Sequence, residues 1–328
     1  MSTGICSCGS PSFGNTGRPN CVIEQKVLAF PVIAPRFKKD GSRNTIDLAQ
    51  DPLTIADSNG ATGNYATIGA YILDRVENTN WDAQDRLYPL PKVENNVVER
   101  TETVYETTPS GTKYKIDGVG GVISFSFQLW GKDSVSQVQR ELNKFGCSDV
   151  DFFYIDIAGA IWGIKDNAND CVIRGYEISS DTWDVFKVWA TDTTVNKLSI
   201  SFDLDNNECV ENSYAYTADE LGYKATSFKG LIAARSSSDN PDLNTAVVKV
   251  EADNGSACDY YDVSGLTGTN FKVYDSAAPT VELPNTGAVE SPDGTYTVTM
   301  SSALVASDSY IVEVTASGYD VASSTFTA

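Results

Sequence analysis

Two segments, VISFSFQLW (122–130) and KLSISFDLD (197–205), alternate apolar and polar residues without a break. That period commits this part of the chain to half-buried β-strands. In the first, Ile123, Phe125, Phe127 and Leu129 point one way, and Val122, Ser124, Ser126 and Gln128 the other. In the second, Leu198, Ile200, Phe202 and Leu204 face in, while Ser199, Ser201 and Asp203 face out. Further strands are predicted over 149–157, 160–165, 171–178 and 182–191. One helix is predicted near 133–145. Asp133 or Ser134 caps it, Val135, Val138, Leu142 and Phe145 recur at helical spacing, and Gly146 ends it. The expectation is a mainly β fold, an antiparallel sandwich or barrel with one packed helix.

Within this run, DVDFFYIDIAGAIWGI (149–164) holds two acids in an apolar stretch. Alternation puts Phe152, Tyr154 and Asp156 on one face, and Asp151, Phe153, Ile155 and Ile157 on the other. Acids on opposite faces cannot flank one scissile bond, so the stretch reads as sheet. The chain has no histidine, which removes the usual general base, the usual metal ligand and the triad partner of a Ser or Cys nucleophile. Asp203, Asp205 and Asn207 start like a calcium loop, but Glu208 and Tyr214 stand where that loop needs Gly and Glu. IDGVGGVIS does not match the dinucleotide-binding glycine pattern and leads into a strand. Trp162, Trp183 and Trp189 could line a sugar groove, but at alternating strand positions they read as core or interface aromatics. No enzyme is expected, and no catalytic, cofactor-binding or metal residue is assigned.

The first 25 residues are read as an irregular Cys/Gly-rich arm. Its Cys6, Cys8 and Cys21 would need a fourth ligand to hold zinc, from Cys147, Cys171, Cys209 or an Asp elsewhere, and plain thiols are the reading taken. The opening stretch lacks a basic region followed by an apolar run, so no signal peptide is expected. No apolar stretch has the length to span a membrane. KVLAFPVIA (26–34) is a short extended segment closed by Pro35, and 36–95 reads as long loops with short strands.

VVERTETVYETT, Pro109-Ser110-Gly111 and TKYKID form a predicted long hairpin over 97–117. Neither face is properly apolar, so it projects or pairs with another chain. Tyr105, Thr107, Pro109, Gly111 and Tyr114 are the candidate subunit-interface residues. A first β domain is expected over 26–235, SSSDNPD (236–242) as a linker, and 243–328 as a small Ig-like sandwich. Short strands near 245–251, 270–274, 279–283, 295–301, 309–316 and 323–327 carry that last reading.

The hairpin, the strand VISFSFQLW, the helix 133–145, the strand SISFDL and the module 243–328 together resemble the tail tube protein of long-tailed bacteriophages. The resemblance implies a virion structural protein, made and assembled in the bacterial host cytoplasm, whose six-fold rings stack into a hollow tube for DNA. Its partners would be itself and other virion tail proteins, with no membrane and no cofactor. The net charge of −20 suits a channel that DNA passes without tight binding. Glu102 and Glu106 are the candidate lumen residues. Basic residues concentrate at the start, with six Lys/Arg against three acids in positions 1–50, and are expected to meet acidic surfaces of adjacent subunits. The Cys-rich arm and the region 36–95 depart from the smallest members and leave open a tail hub, a terminator or a capsid-associated protein. A carbohydrate-binding surface adhesin and a carboxylate-based glycan hydrolase stay open as other classes.

Overall fold

A computed structural model describes residues 25–47, 53–56, 62–102, 104–115, 122–131, 136–165, 172–205, 210–223, 225, 228–256 and 259–328. From the start the strands are β1 (Leu28–Pro35), β2 (Thr45–Asp47), β3 (Leu53–Ala56) and β4 (Thr62–Tyr65), followed by helix α1 (Ile68–Glu77). Then come β5 (Tyr88–Pro89), β6 (Glu94–Arg100), β7 (Tyr105–Thr107), β8 (Lys113–Lys115), β9 (Ile123–Trp130) and α2 (Ser136–Asn143). β10 (Val150–Asp156), β11 (Ile161–Lys165), β12 (Val172–Arg174), β13 (Tyr176–Glu177), β14 (Asp184–Val188), β15 (Lys197–Asp203), β16 (Ser213–Tyr216) and α3 (Ala218–Leu221) complete a first compact unit ending at Lys229. The fold is mainly β and antiparallel, as its alternating segments require.

β10 is the wall between two cores. All seven of its residues are buried, which demands packing on both faces. Phe152 and Tyr154 join the cluster of Phe125, Phe127, Leu198, Ile200 and Phe202, whereas Phe153 and Ile155 join that of Ile72, Val76 and Leu221. The first cluster lies between the sheet β2-β12-β11-β10-β1-β5 and the four-stranded sheet β14-β15-β9-β6. Side chains of α1 and α3 contribute to the second. A fully buried phenylalanine is worth about 2–3 kcal/mol, so Phe152 and Phe153, both 0% exposed, hold the two layers together. β1 lies beside β10, with Leu28 opposite Asp156 and Pro35 opposite Val150.

Region 36–95 is not a set of long loops, because it contains α1. Thr67 caps the helix by accepting from the Ala70 amide at 3.2 Å. Tyr71, Ile72, Arg75 and Val76 repeat at helical spacing and are buried. Arg75 is 0% exposed and donates to the Asp85 carbonyl at 2.9 and 2.6 Å and to the Thr45 carbonyl at 3.1 Å. It also donates to Asn44 Oδ1. A buried guanidinium needs such acceptors, and these stitch the helix to its flanking loops. The expected helix near 133–145 is observed as α2 and is followed by a single 3₁₀ turn, Phe145–Cys147. Asp133, Ser134 and Val135 lie outside the described residues, as do Cys6, Cys8, Cys21, Cys171 and Cys209.

The second unit is Gly230–Ala328. Its strands are β17 (Ala234–Asp242), β18 (Thr245–Ser256), β19 (Asp259–Asp262), β20 (Phe271–Asp275), β21 (Ala278–Leu283), β22 (Asn285–Glu290), β23 (Thr295–Met300), β24 (Ser309–Val314) and β25 (Ala322–Thr327). The sheets β17-β18-β23-β22 and β21-β20-β24-β25 reproduce the A-B-E-D and C′-C-F-G orders of an Ig-like sandwich. The stretch 236–242 is therefore not a linker. Ala234–Asp239 pairs antiparallel with Val247–Ala252 as the first strand. Its polar sequence is tolerated because β17 is an edge strand, and Pro241 falls in the register shift between Asp239 and Asp242.

Candidate assembly interface

The hairpin β7–β8 turns at Thr108–Thr112. The Gly111 amide donates to the Thr108 carbonyl at 2.8 Å and the Thr108 amide to the Thr112 carbonyl at 2.9 Å. Pro109 sits at the first central position of the turn, and Gly111 adopts φ +84°. This is a three-residue loop closed by a left-handed residue, which explains the Pro-Ser-Gly order. Tyr105, Thr107, Pro109, Gly111 and Tyr114 are all exposed, the two tyrosines by 57% and 61%. Tyr114 pairs across the strands with Glu106, and Thr107 pairs with Lys113. Glu102 is exposed and precedes β7. The long arm predicted over 97–117 is split. β6 belongs to the four-stranded sheet, where Val97 faces Ser126 and Glu99 faces Ser124 on β9.

That sheet carries a second feature. Its inward residues Phe127, Leu129, Leu198 and Ile200 are 0% exposed. Its other face bears Ser124, Ser126, Ser199 and Ser201, half-buried and directly paired across β9 and β15 as Ser126–Ser201. Glu94, Glu99, Asp184 and Asp203 lie on the same face by register. The strand order leaves β14 and β6 as the outer strands. The serine alternation was visible in the sequence; the acids of β6 and β14 were not, because only pairing register brings them to this face.

Asp151 and Asp156 have structural partners. Asp151 is 1% exposed and is held by Arg36 Nε and Arg43 Nη2, each at 3.0 Å. Burial pushes its carboxyl up to about 6, although Arg43 and Arg36 pull the other way. Asp156 accepts from the Ala158 and Ala160 amides at 2.8 and 3.1 Å and from Trp162 Nε1 at 3.1 Å, which fastens the turn after β10. The three tryptophans do not share a groove. Trp162 is buried, Trp183 stacks on Phe202, and Trp189 is 74% exposed. Among the described residues no helix is long and apolar enough to cross a membrane, and no group of three His, Cys, Asp or Glu side chains could hold a metal.

No known family model matches the sequence, and no curated protein matches it. Among solved structures, the N-terminal part of the bacterial S-layer protein SbsC is similar at 19% identity with a TM-score of 0.22. That similarity covers 33% of this chain and 26% of the other.

Proposed function

We propose that the chain is a structural virion protein that self-assembles into stacked rings, forming a phage tail tube through which DNA passes. The observation that carries the reading is the four-stranded sheet β14-β15-β9-β6, buried on one face and bare on the other, with two different outer strands. Outer strands offer unpaired backbone donors and acceptors to another chain. Pairing β6 of one copy with β14 of the next is a heterologous contact, which closes into a ring when the rotation allows. The buried face carries the larger sheet and its helices, so closure puts that bulk outside and the serine face inside. Glu94, Glu99, Asp184 and Asp203 would then repel phosphate from the wall. The exposed hairpin β7–β8 supplies a further contact between copies, with Glu102 and Glu106 on or beside it. Electron microscopy of the purified protein tests this reading. Rings or tubes are expected; monomers at all concentrations would exclude it, and monomers that bind a glycan would favour an adhesin.

A further inference from the structure

The two outer strands of the four-stranded sheet carry apolar residues at their centres, where an outer strand usually bears charge. β6 exposes Val97 by 44% and Val98 by 50%, and β14 exposes Phe186 by 47%. Val97 lies opposite Ser126, Phe186 opposite Ser199 and Val188 opposite Lys197, so Val97, Phe186 and Val188 all stand on the serine face. Val185 and Lys187 lie opposite the core residues Ile200 and Leu198. The Val185 carbonyl accepts from Gln139 at 3.2 Å and Lys187 donates to Ser136 Oγ at 3.0 Å, so α2 occupies the packed side of β14. The outer strand β17 of the second unit is the contrast, with serines, aspartates and an asparagine along its length.

All three strand pairs of the sheet are antiparallel, so β6 runs opposite to β14. A head-to-tail junction between identical copies therefore sets β6 of one against β14 of the next as a further antiparallel pair, and the ladder continues. Keeping the serine faces together allows only registers that differ by two residues. With Val97 opposite Asp184, the bulge residues Asn95 and Asn96 fall against Phe186 and Val185, inside the ladder. With Val97 opposite Phe186, Glu99 stands directly against Asp184, a like-charge pair. With Val97 opposite Ala190, Arg100 stands against Lys187, which is again like charge. Val97 opposite Val188 avoids all three. Glu99 then meets Phe186, Thr101 meets Asp184, and the bulge falls past the end of β14.

We infer that Val97 of one copy lies opposite Val188 of the next, in an antiparallel junction that makes the four-stranded sheets of neighbouring copies one continuous sheet. This inference rests on the self-assembling reading above and gives its β6–β14 contact a register and an apolar centre. On the packed side Val98 lies opposite Lys187, whose aliphatic stem covers it. The occupant of each edge is a second copy, because the two edges match in direction, in face and in charge at this one register.

Cysteine variants of the full chain, Val97→Cys and Val188→Cys, test it by oxidation, gel electrophoresis and mass spectrometry of the linked peptides. The wild-type chain, with its natural cysteines, sets the background. Within one chain β9 and β15 separate β6 from β14, about 14 Å at the usual strand spacing and beyond the ~7 Å between Cα atoms that a disulfide spans. A 97–188 bond therefore joins two copies. Mixing the two variants is expected to link at least ~tenfold more chain than either alone, because the register sets the sulfurs side by side. Mixing Val97→Cys with Phe186→Cys should stay at background. In the unsubstituted chain, the amides of β6 and β14 should gain protection from hydrogen exchange as the concentration rises, which checks the contact without any substitution. A 97–97 bond, showing β6 paired with itself, overturns the inference, as does a preferred 97–186 bond or the absence of a 97–188 bond at every concentration. Rings that form without the 97–188 bond strike this junction and leave the ring reading; the bond without rings or tubes under the electron microscope keeps the junction and strikes ring closure.

Discussion

Arg36 Nε donates to Asp151 Oδ1 at 3.0 Å, tying the residue that follows β1 to the second residue of β10. Arg43 takes the other carboxylate oxygen, and Glu177 lies against both arginines, at 2.9 Å from Arg43 and 3.7 Å from Arg36. With the Asp151 carboxyl raised from 3.8 to about 6 by burial, the folded chain holds a proton there that the unfolded chain has released. The stability from this group is full below 3.8 and is lost as the pH rises through about 6, a change of roughly 3 kcal/mol. Asp151→Asn cannot titrate. Urea unfolding at pH 4 and 7.5 should show wild type losing roughly 2–3 kcal/mol relative to the variant over that span. Parallel pH profiles would refute the assignment.

Gly69 sits where α1 meets the segment after α3. A Cβ there would lie 2.2 Å from Tyr223 Cβ and 2.9 Å from the Leu221 carbonyl oxygen. Although alanine is the better helix former, Gly69→Ala is expected to destabilise the first unit by about 1–3 kcal/mol through overpacking. Thermal denaturation reads the sign, and a rise in Tm would show that the helix can shift freely.

The unit boundary makes a sharp comparison of fragments. Residues 230–328 contain β17 and are expected to fold alone with a cooperative melt. Residues 243–328 lack that strand and expose the edge of β18, so they should be largely unfolded or aggregated. Circular dichroism and dispersed amide spectra distinguish the two, and equal folding of both would demote β17 to a surface appendage.

Deleting residues 102–114 removes a hairpin whose described side chains are exposed or half-buried. The change in folding stability should stay within about 0.5 kcal/mol, as for other surface changes. Self-association should be lost. Assembly that survives the deletion unchanged would confine the contact to the sheet edges.

The period-two pattern of 122–130 and 197–205 was legible because one face of each strand meets the core and the other does not. Pairing between these strands was not legible, since register depends on partners distant in sequence, and so the acids of β6 and β14 went unassigned. α1 escaped notice because Gly69 and Arg75 interrupt the apolar stripe on its buried face and turn formers surround it. Its capping threonine and the Tyr71, Ile72, Arg75, Val76 spacing were nevertheless present. In 236–242, serines and a proline suggested a hinge. An edge strand needs only backbone pairing to persist, and composition does not report that.

The pairing of β1 with β10 has a consequence for synthesis. Arg36 and Asp151 stand 115 residues apart, so at about 5–20 residues per second β1 leaves the ribosome roughly 6–23 s before its partner exists. In the first part of that interval, before α1 and β5 have followed it, LAFPVIAP is an apolar segment with nothing to cover it. Pro31 and Pro35 lack the amide proton that a growing cross-β stack requires. In the finished fold these prolines occupy an interior strand, where their missing donors bring no benefit. On a crowded polysome they keep one nascent chain from zippering onto the next.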